Sequence, residues 1–291
     1  MDPIEQEVTR MRNREITRAR RDFDTLKEIY GFVDMGLLQR LTMWFPNSAN
    51  VNDPNLALNN ANQFPAHLQG LMQDLGVVAA PAQNPTCESW GGGVNQTAQP
   101  LGALFQKYGS DKSTIHNYHH LYATLLEKLG LDAPLNLLEV GLGTNNPKLV
   151  SSMGVGGKPG ASLRAFRDFL PQAQVYGADV DAQILFQETR IRTAHVDQLK
   201  PQSLAALPDH LGCKQFDLII DDGLHAVDAN INTLRFALTA VKPGGFVVIE
   251  DIPERSAQAW LLIEGLMAQT AHHAHFVRGA RSHLFVVEAA A

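Results

Sequence analysis

From Leu101 onward, short apolar runs bounded by glycine or acid alternate with helical patterns, and no other feature constrains the fold as tightly. LNLLEV at 135–140, QVYG at 174–177, a run at 193–196, FDLII at 216–220 and GFVVI at 245–249 each read as a strand. Helical spacing falls between them, at about 161–169, 230–241 and 256–269. Strands without polar alternation need cover on both faces, so the pattern predicts a doubly wound, mostly parallel α/β sheet. Two last runs, 275–278 and 283–287, flank a short GAR turn and predict an antiparallel addition. The expected fold is a seven-stranded, Rossmann-like sheet with an N-terminal helical extension.

Ligands on such sheets bind at the carboxyl ends of the strands, and those ends are where this chain places its acids. The first end reads Glu139-Val140-Gly141-Leu142-Gly143. Two glycines two apart allow a tight turn and close backbone approach. A dinucleotide fingerprint would continue to a third glycine, but Asn146 stands there. The second strand ends at Asp179, where an acid can accept hydrogen bonds from ribose hydroxyls. The third ends at Asp197, which could meet an adenine amino group. The fourth and fifth end in Asp221-Asp222-Gly223-Leu224-His225 and Glu250-Asp251. If those two strands are neighbours, at about 4.8 Å, their carboxylates converge and repel. No lysine or arginine immediately follows either group, so a hard divalent cation such as Mg²⁺ is the expected counter-charge.

The rest of the chain bounds the function more loosely. Residues 1–95 read as a helical extension and linker, a possible substrate lid or oligomerisation region; residues 96–291 form the second domain. Arg10, Arg14, Arg18 and Arg21 share one helical spacing and read as a solvated face. Asn47–Asn62 reads as loop and 64–78 as helix. The net charge of −6 argues against a nucleic-acid partner. Cys87 and Cys213 have no paired spacing, which excludes a disulfide framework or cysteine zinc site and suits a reducing compartment. No run reaches the roughly 18 apolar residues of a membrane span, and a cytoplasmic location is expected. Tyr118, His119, His120 and Tyr122, with His116 before them, read as packed or solvated helix residues.

LLEVGLG, YGADVD, FDLIIDDGLH and KPGGFVVIEDI together resemble the class I S-adenosylmethionine-dependent methyltransferases. Within these, the metal-dependent sugar O-methyltransferases of the mycinamicin and macrocin type are most similar, DDGLH paired with IED being the specific element. KYGSDK at 107–112 resembles the segment that helps close over the cofactor, and PGASLRAFRDFLP the helix after an extended first loop. The resemblance covers about residues 101–291. It implies cofactor contacts from Lys112, Glu139, Gly141, Gly143, Ser162, Asp179 and Asp197, with Asp221 a cofactor contact or second-choice ligand. It also implies Mg²⁺ held by Asp222, Glu250 and Asp251, and His225 as general base. The expected acceptor is a small-molecule glycoside and the expected assembly a homo-oligomer. Leu224 replaces a small polar residue, and the 145–159 insert is longer than usual, so the acceptor stays open. A catechol-type or other small-metabolite hydroxyl is the alternative, followed by a non-catalytic scaffold; a nicotinamide dehydrogenase is disfavoured by the missing third glycine.

Overall fold

The computed structural model describes residues 54–76, 84–90 and 95–291. The arginine spacing at 10–21 therefore lies outside the described residues. The chain divides into two units, Met1–Phe64 and Pro65–Ala291. Helix α1 spans Pro54–Asp74 and begins well before the predicted start. Among the described residues no helix is long and apolar enough to cross a membrane.

The second unit is built on one sheet. Helices α2 (Ala98–Tyr108) and α3 (Tyr118–Leu129) precede strand β1 (Asn136–Val140). Then follow α4 (Ala161–Phe169), β2 (Gln174–Asp179), β3 (Gln187–Glu188) and β4 (Ile191–His195). Two short helices, α5 (Pro201–Ala205) and α6 (Leu207–Leu211), lead to β5 (Phe216–Asp221) and α7 (Val227–Ala240). The chain continues through β6 (Val241–Ile252), α8 (Ala257–Met267), β7 (His273–Arg278) and β8 (His283–Glu288). Spatial order is β3-β4-β2-β1-β5-β6-β8-β7. Pairings among β4, β2, β1, β5 and β6 are parallel, and β8 joins β6 and β7 antiparallel.

Among the described residues the sheet has eight strands where seven were expected. The addition, β3, is two exposed residues paired antiparallel to β4 inside the β2–β4 connection. A pair that short carries no hydrophobic periodicity to be read.

Both faces are covered. Alternate residues of each strand point to opposite sides, so Leu137, Val175, Leu218 and Val248 meet Phe105, Leu121, Leu125 and Phe166 on one face. Leu138, Ile219, Val247 and Phe285 meet Leu204, Leu211, Leu234 and Trp260 on the other. Residues 85–90, linker-like in composition, are part of this body. Thr86 bridges Arg278, and Cys87 N–H donates to the Arg278 carbonyl at 3.1 Å. Trp90 is buried edge-on to Phe246 at 6.2 Å, which makes it a packing residue.

For the site, one pairing matters most. β5 and β6 are parallel neighbours with Asp221 opposite Ile249, so Asp222 and Glu250 leave the sheet side by side.

Candidate active site

At the carboxyl ends of β1, β2, β4 and β5 lies a cavity of about 560 Å³. Its wall takes in Gly141 to Thr144, Ser162, Asp179, Asp197, Asp222 to His225 and Asp251, with Ser110 and Asp111 from the turn after α2. Those candidates are brought together. Lys112, Glu139, Asp221 and Glu250 are not part of the wall, and each has a different task.

The first loop is shaped by glycine. Gly141 has φ +101°, and a Cβ there would lie 2.0 Å from the Asp222 carbonyl oxygen. No side chain fits, because β1 and β5 run together at this point. Asp179 ties the loop down: one carboxylate oxygen accepts the Leu142 N–H at 2.7 Å and the other the Asp181 N–H at 2.8 Å. Thr144 donates its hydroxyl to Asp181. Asp197 is paired with Lys200 at 2.7 Å, which holds its carboxyl below the usual range.

Asp221, a candidate cofactor contact or ligand, is fully enclosed. It accepts hydrogen bonds from Gln198 Nε2 at 2.7 Å, Asn230 Nδ2 at 3.0 Å and the Gly223 N–H at 3.2 Å. Gln198 also accepts the Leu224 N–H at 2.9 Å. The acid therefore braces the DDGLH turn from behind and presents nothing to the cavity. Gln198 directly follows Asp197, but nothing in the sequence marks it as a partner of a strand end 23 residues on.

The carboxylate cluster also has a counter-charge that the local sequence did not reveal. Lys112 is 1% exposed, and its Nζ lies 2.6 Å from Asp222 Oδ2, 2.6 Å from Glu250 Oε2 and 3.2 Å from Glu139 Oε1. Tyr122 donates its hydroxyl to Glu250 Oε1, and Ser162 donates to Glu139. Glu250, expected to face a cation, thus has both oxygens committed, one to a lysine and one to a tyrosine. Burial pushes the Glu250 carboxyl well above its usual range and raises those of Asp222 and Glu139, with Lys112 opposing in each case. Burial alone would lower the Lys112 ammonium; its three carboxylates outweigh that and raise it well above its ordinary value.

Asp222, His225 and Asp251 face the remaining space. One donor atom from each lies within 4.8 Å of the others. His225 Nε2 is 3.8 Å from Asp222 Oδ1 and 3.8 Å from Asp251 Oδ2. Its Nδ1 is buried and has no hydrogen-bond partner among the described residues, which leaves Nε2 as the ring nitrogen directed at the open cluster. Among the described residues, three non-glycine positions have positive φ: Arg190, His225 at +55° and Asp251 at +54°. Two of the three belong to this triad, and such backbone strain persists where surrounding structure imposes it, commonly at functional sites. A bulge in the β6–β8 pairing between Ile249 and Ile252 turns Asp251 off the ladder.

The donor set fits a hard divalent cation. Three carboxylates (Glu139, Asp222 and Glu250) surround the Lys112 ammonium, and Asp251 adds a fourth beside His225. Asp222 and Asp251 turn oxygen atoms toward the open side, the donor type such an ion prefers. The two-glycine loop with Asp179 and Asp197 beside it forms a cradle suited to a nucleoside-bearing ligand.

Residues 154–252 match the model of a family described as a methyltransferase domain. The chain is 30% identical over 152 residues to the 8-demethyl-8-alpha-L-rhamnosyl tetracenomycin-C 2'-O-methyltransferase of Streptomyces olivaceus, covering 52% of this chain and 37% of that one. It is 39% identical over 114 residues to the mycinamicin VI 2''-O-methyltransferase of Micromonospora griseorubida, covering 37% and 28%. The matched regions thus span less than two fifths of these curated relatives. Among solved structures, a methyltransferase of the mycinamycin biosynthetic pathway in complex with Mg and SAH superposes with a TM-score of 0.52 at 22% identity, covering 66% of this chain and 54% of that chain. The same enzyme with Mg, SAH and mycinamycin VI gives 0.51 at 20% identity, covering 83% and 64%. The fold is that of the Rossmann-like methyltransferases, and the matched segment carries the DDGLH turn and the Glu250-Asp251 strand end.

Proposed function

We propose that the chain is an S-adenosylmethionine-dependent, Mg²⁺-assisted O-methyltransferase acting on a sugar hydroxyl of a glycoside, with His225 as general base. The observation that carries this reading is the placement of His225 Nε2, 3.8 Å from both Asp222 and Asp251, on the wall shared with the Gly141–Gly143 loop. Relatives named as sugar O-methyltransferases support the acceptor class.

The cofactor supplies a methyl group already activated on a sulfonium, and the cation supplies Lewis-acid stabilisation of a developing alkoxide. Gly141, Gly143, Asp179 and Asp197 line the place for the cofactor; Asp222 and Asp251 offer oxygens to the cation. Glu250 and Glu139 stand behind them and set the charge of the cluster through Lys112. A sugar hydroxyl is a poor nucleophile because its pKa lies far above neutrality. His225 Nε2 is placed to take its proton, and the methyl carbon would pass from sulfonium sulfur to that oxygen, giving a methyl ether and a neutral thioether; imidazole is the side chain suited to such a proton transfer near neutral pH. Holding the acceptor oxygen against the methyl group lowers much of the remaining barrier.

The test is methyl transfer to a panel of glycosides, with catechols as controls, before and after chelation. Activity is expected on glycosides, lost in EDTA and restored by Mg²⁺. Full turnover in EDTA would remove the cation from the mechanism, and turnover restricted to catechols would replace the acceptor class.

A further inference from the structure

Asp251 is held on its far side by residues from two distant parts of the chain. Tyr118, the first residue of α3, donates its hydroxyl to Asp251 Oδ1 at 2.5 Å. Ser282, in the turn before β8, donates to the same oxygen at 2.9 Å, and the two hydroxyl oxygens are 2.5 Å apart. His116 stacks on the Tyr118 ring at 4.5 Å and brings Nδ1 to 3.7 Å from Asp251 Oδ1.

The surroundings are built around this contact. Asn117 Oδ1 accepts the Ala280 N–H at 2.8 Å, tying the β7–β8 turn to the start of α3. A Cβ on Gly279 would lie 2.9 Å from Tyr118 Cε1, so the turn makes room for the ring. The β6–β8 register slips between Ile249 and Ile252, which frees Asp251 from the ladder opposite this turn. The outcome is a carboxylate with unequal oxygens: Oδ1 satisfied by two hydroxyls, Oδ2 turned to His225 at 3.8 Å.

We propose that Tyr118 and Ser282 are positioning residues, a two-hydroxyl clamp that consumes one oxygen of Asp251 and aims the other at the cation and at His225. The inference rests on the cation reading given above. Partners of this kind behind a metal-binding carboxylate commonly govern affinity without touching the ion. Without the clamp, Asp251 could rotate about χ1 and χ2 and lose its fixed presentation.

The experiment measures Mn²⁺ binding by calorimetry and by electron paramagnetic resonance, using the full chain. Wild type, Tyr118→Phe, Ser282→Ala, their double variant and Ser282→Thr are compared, with S-adenosylhomocysteine affinity and melting temperature taken on each. Removing either hydroxyl is expected to weaken Mn²⁺ binding about tenfold, and removing both by more. Ser282→Thr is expected to restore it, and S-adenosylhomocysteine affinity to stay unchanged throughout. Unchanged or tighter Mn²⁺ binding in the double variant overturns the clamp. A parallel fall of both affinities with the melting temperature also overturns it, since that is loss of structure. Absence of Mn²⁺ binding in the wild type is a different failure, which overturns the cation reading and the clamp with it.

Discussion

Replacing Lys112 by methionine keeps most of the apolar stem of the side chain and removes the terminal ammonium with its charge and hydrogen bonds. In the wild type that ammonium sits 2.6 Å from Asp222, 2.6 Å from Glu250 and 3.2 Å from Glu139, with 1% of the residue exposed. Removing one partner of a buried ion pair leaves an uncompensated charge and costs about 3–5 kcal/mol. Three carboxylates lose their partner here, but Tyr122 and Ser162 still donate to Glu250 and Glu139, and protonation limits the loss. The loss expected at pH 8 is therefore within that range, a fall of about 6–20 °C in melting temperature for a unit of this size.

The loss should also depend on pH. Burial already raises the Glu250, Asp222 and Glu139 carboxyls in the presence of Lys112, and removing the ammonium removes what opposes it. The folded variant then binds more protons than its unfolded chain, so its stability rises as pH falls from 8 through the raised carboxyl range. Mg²⁺ should in turn stabilise the variant more than the wild type, because a ligand of the native state shifts the unfolding equilibrium. Thermal melts at pH 8 and pH 6, with and without Mg²⁺, measure all three effects. A loss below about 1 kcal/mol at pH 8, the scale of an exposed pair, would refute the claim that Lys112 is the cluster's counter-charge.

His225→Ala is expected to abolish methyl transfer while S-adenosylmethionine affinity, measured by calorimetry, stays near wild type; turnover retained in that variant would exclude the histidine as base. Gly141→Ala places a Cβ 2.0 Å from the Asp222 carbonyl at φ +101°. Backbone strain alone is worth about 1–3 kcal/mol, so a lower melting temperature and weaker cofactor binding should appear together, and a variant with wild-type values of both would contradict the close approach of β1 and β5.

The doubly wound sheet was legible because burial on both faces forces continuous apolar strands, and a continuous run survives in one dimension. Helix α4, at 161–169, falls where its spacing placed it; Asp179 and Asp221 close β2 and β5, Glu139 stands one residue inside β1, Asp197 two beyond β4, and Glu250-Asp251 fall inside β6, which runs on to Ile252. The pairing of DDGLH with Glu250-Asp251 was legible too, subject to one spatial condition, adjacency of β5 and β6, which the sheet order meets. The family resemblance assigned Asp222 to the cation and left Asp221 between cofactor and ligand: successive residues leave a strand on opposite sides, and the packed structure tells which side holds Gln198 and Asn230 and which holds the cavity.

The charge state of the cluster was decided by the tertiary structure alone. Local reading found no cation after either acid group and reserved Glu250 for a metal. The fold brings Lys112 from 110 residues before Asp222 and 138 before Glu250, and Tyr118 from 133 before Asp251. Coulomb energy and hydrogen bonding depend on distance in space and on the dielectric around the group, not on separation along the chain. Sequence by itself therefore determined which strand ends carry acid, because burial imprints a local period. Which acid is neutralised, which braces a turn and which is left facing the cavity depended on what the folded sheet set against each one.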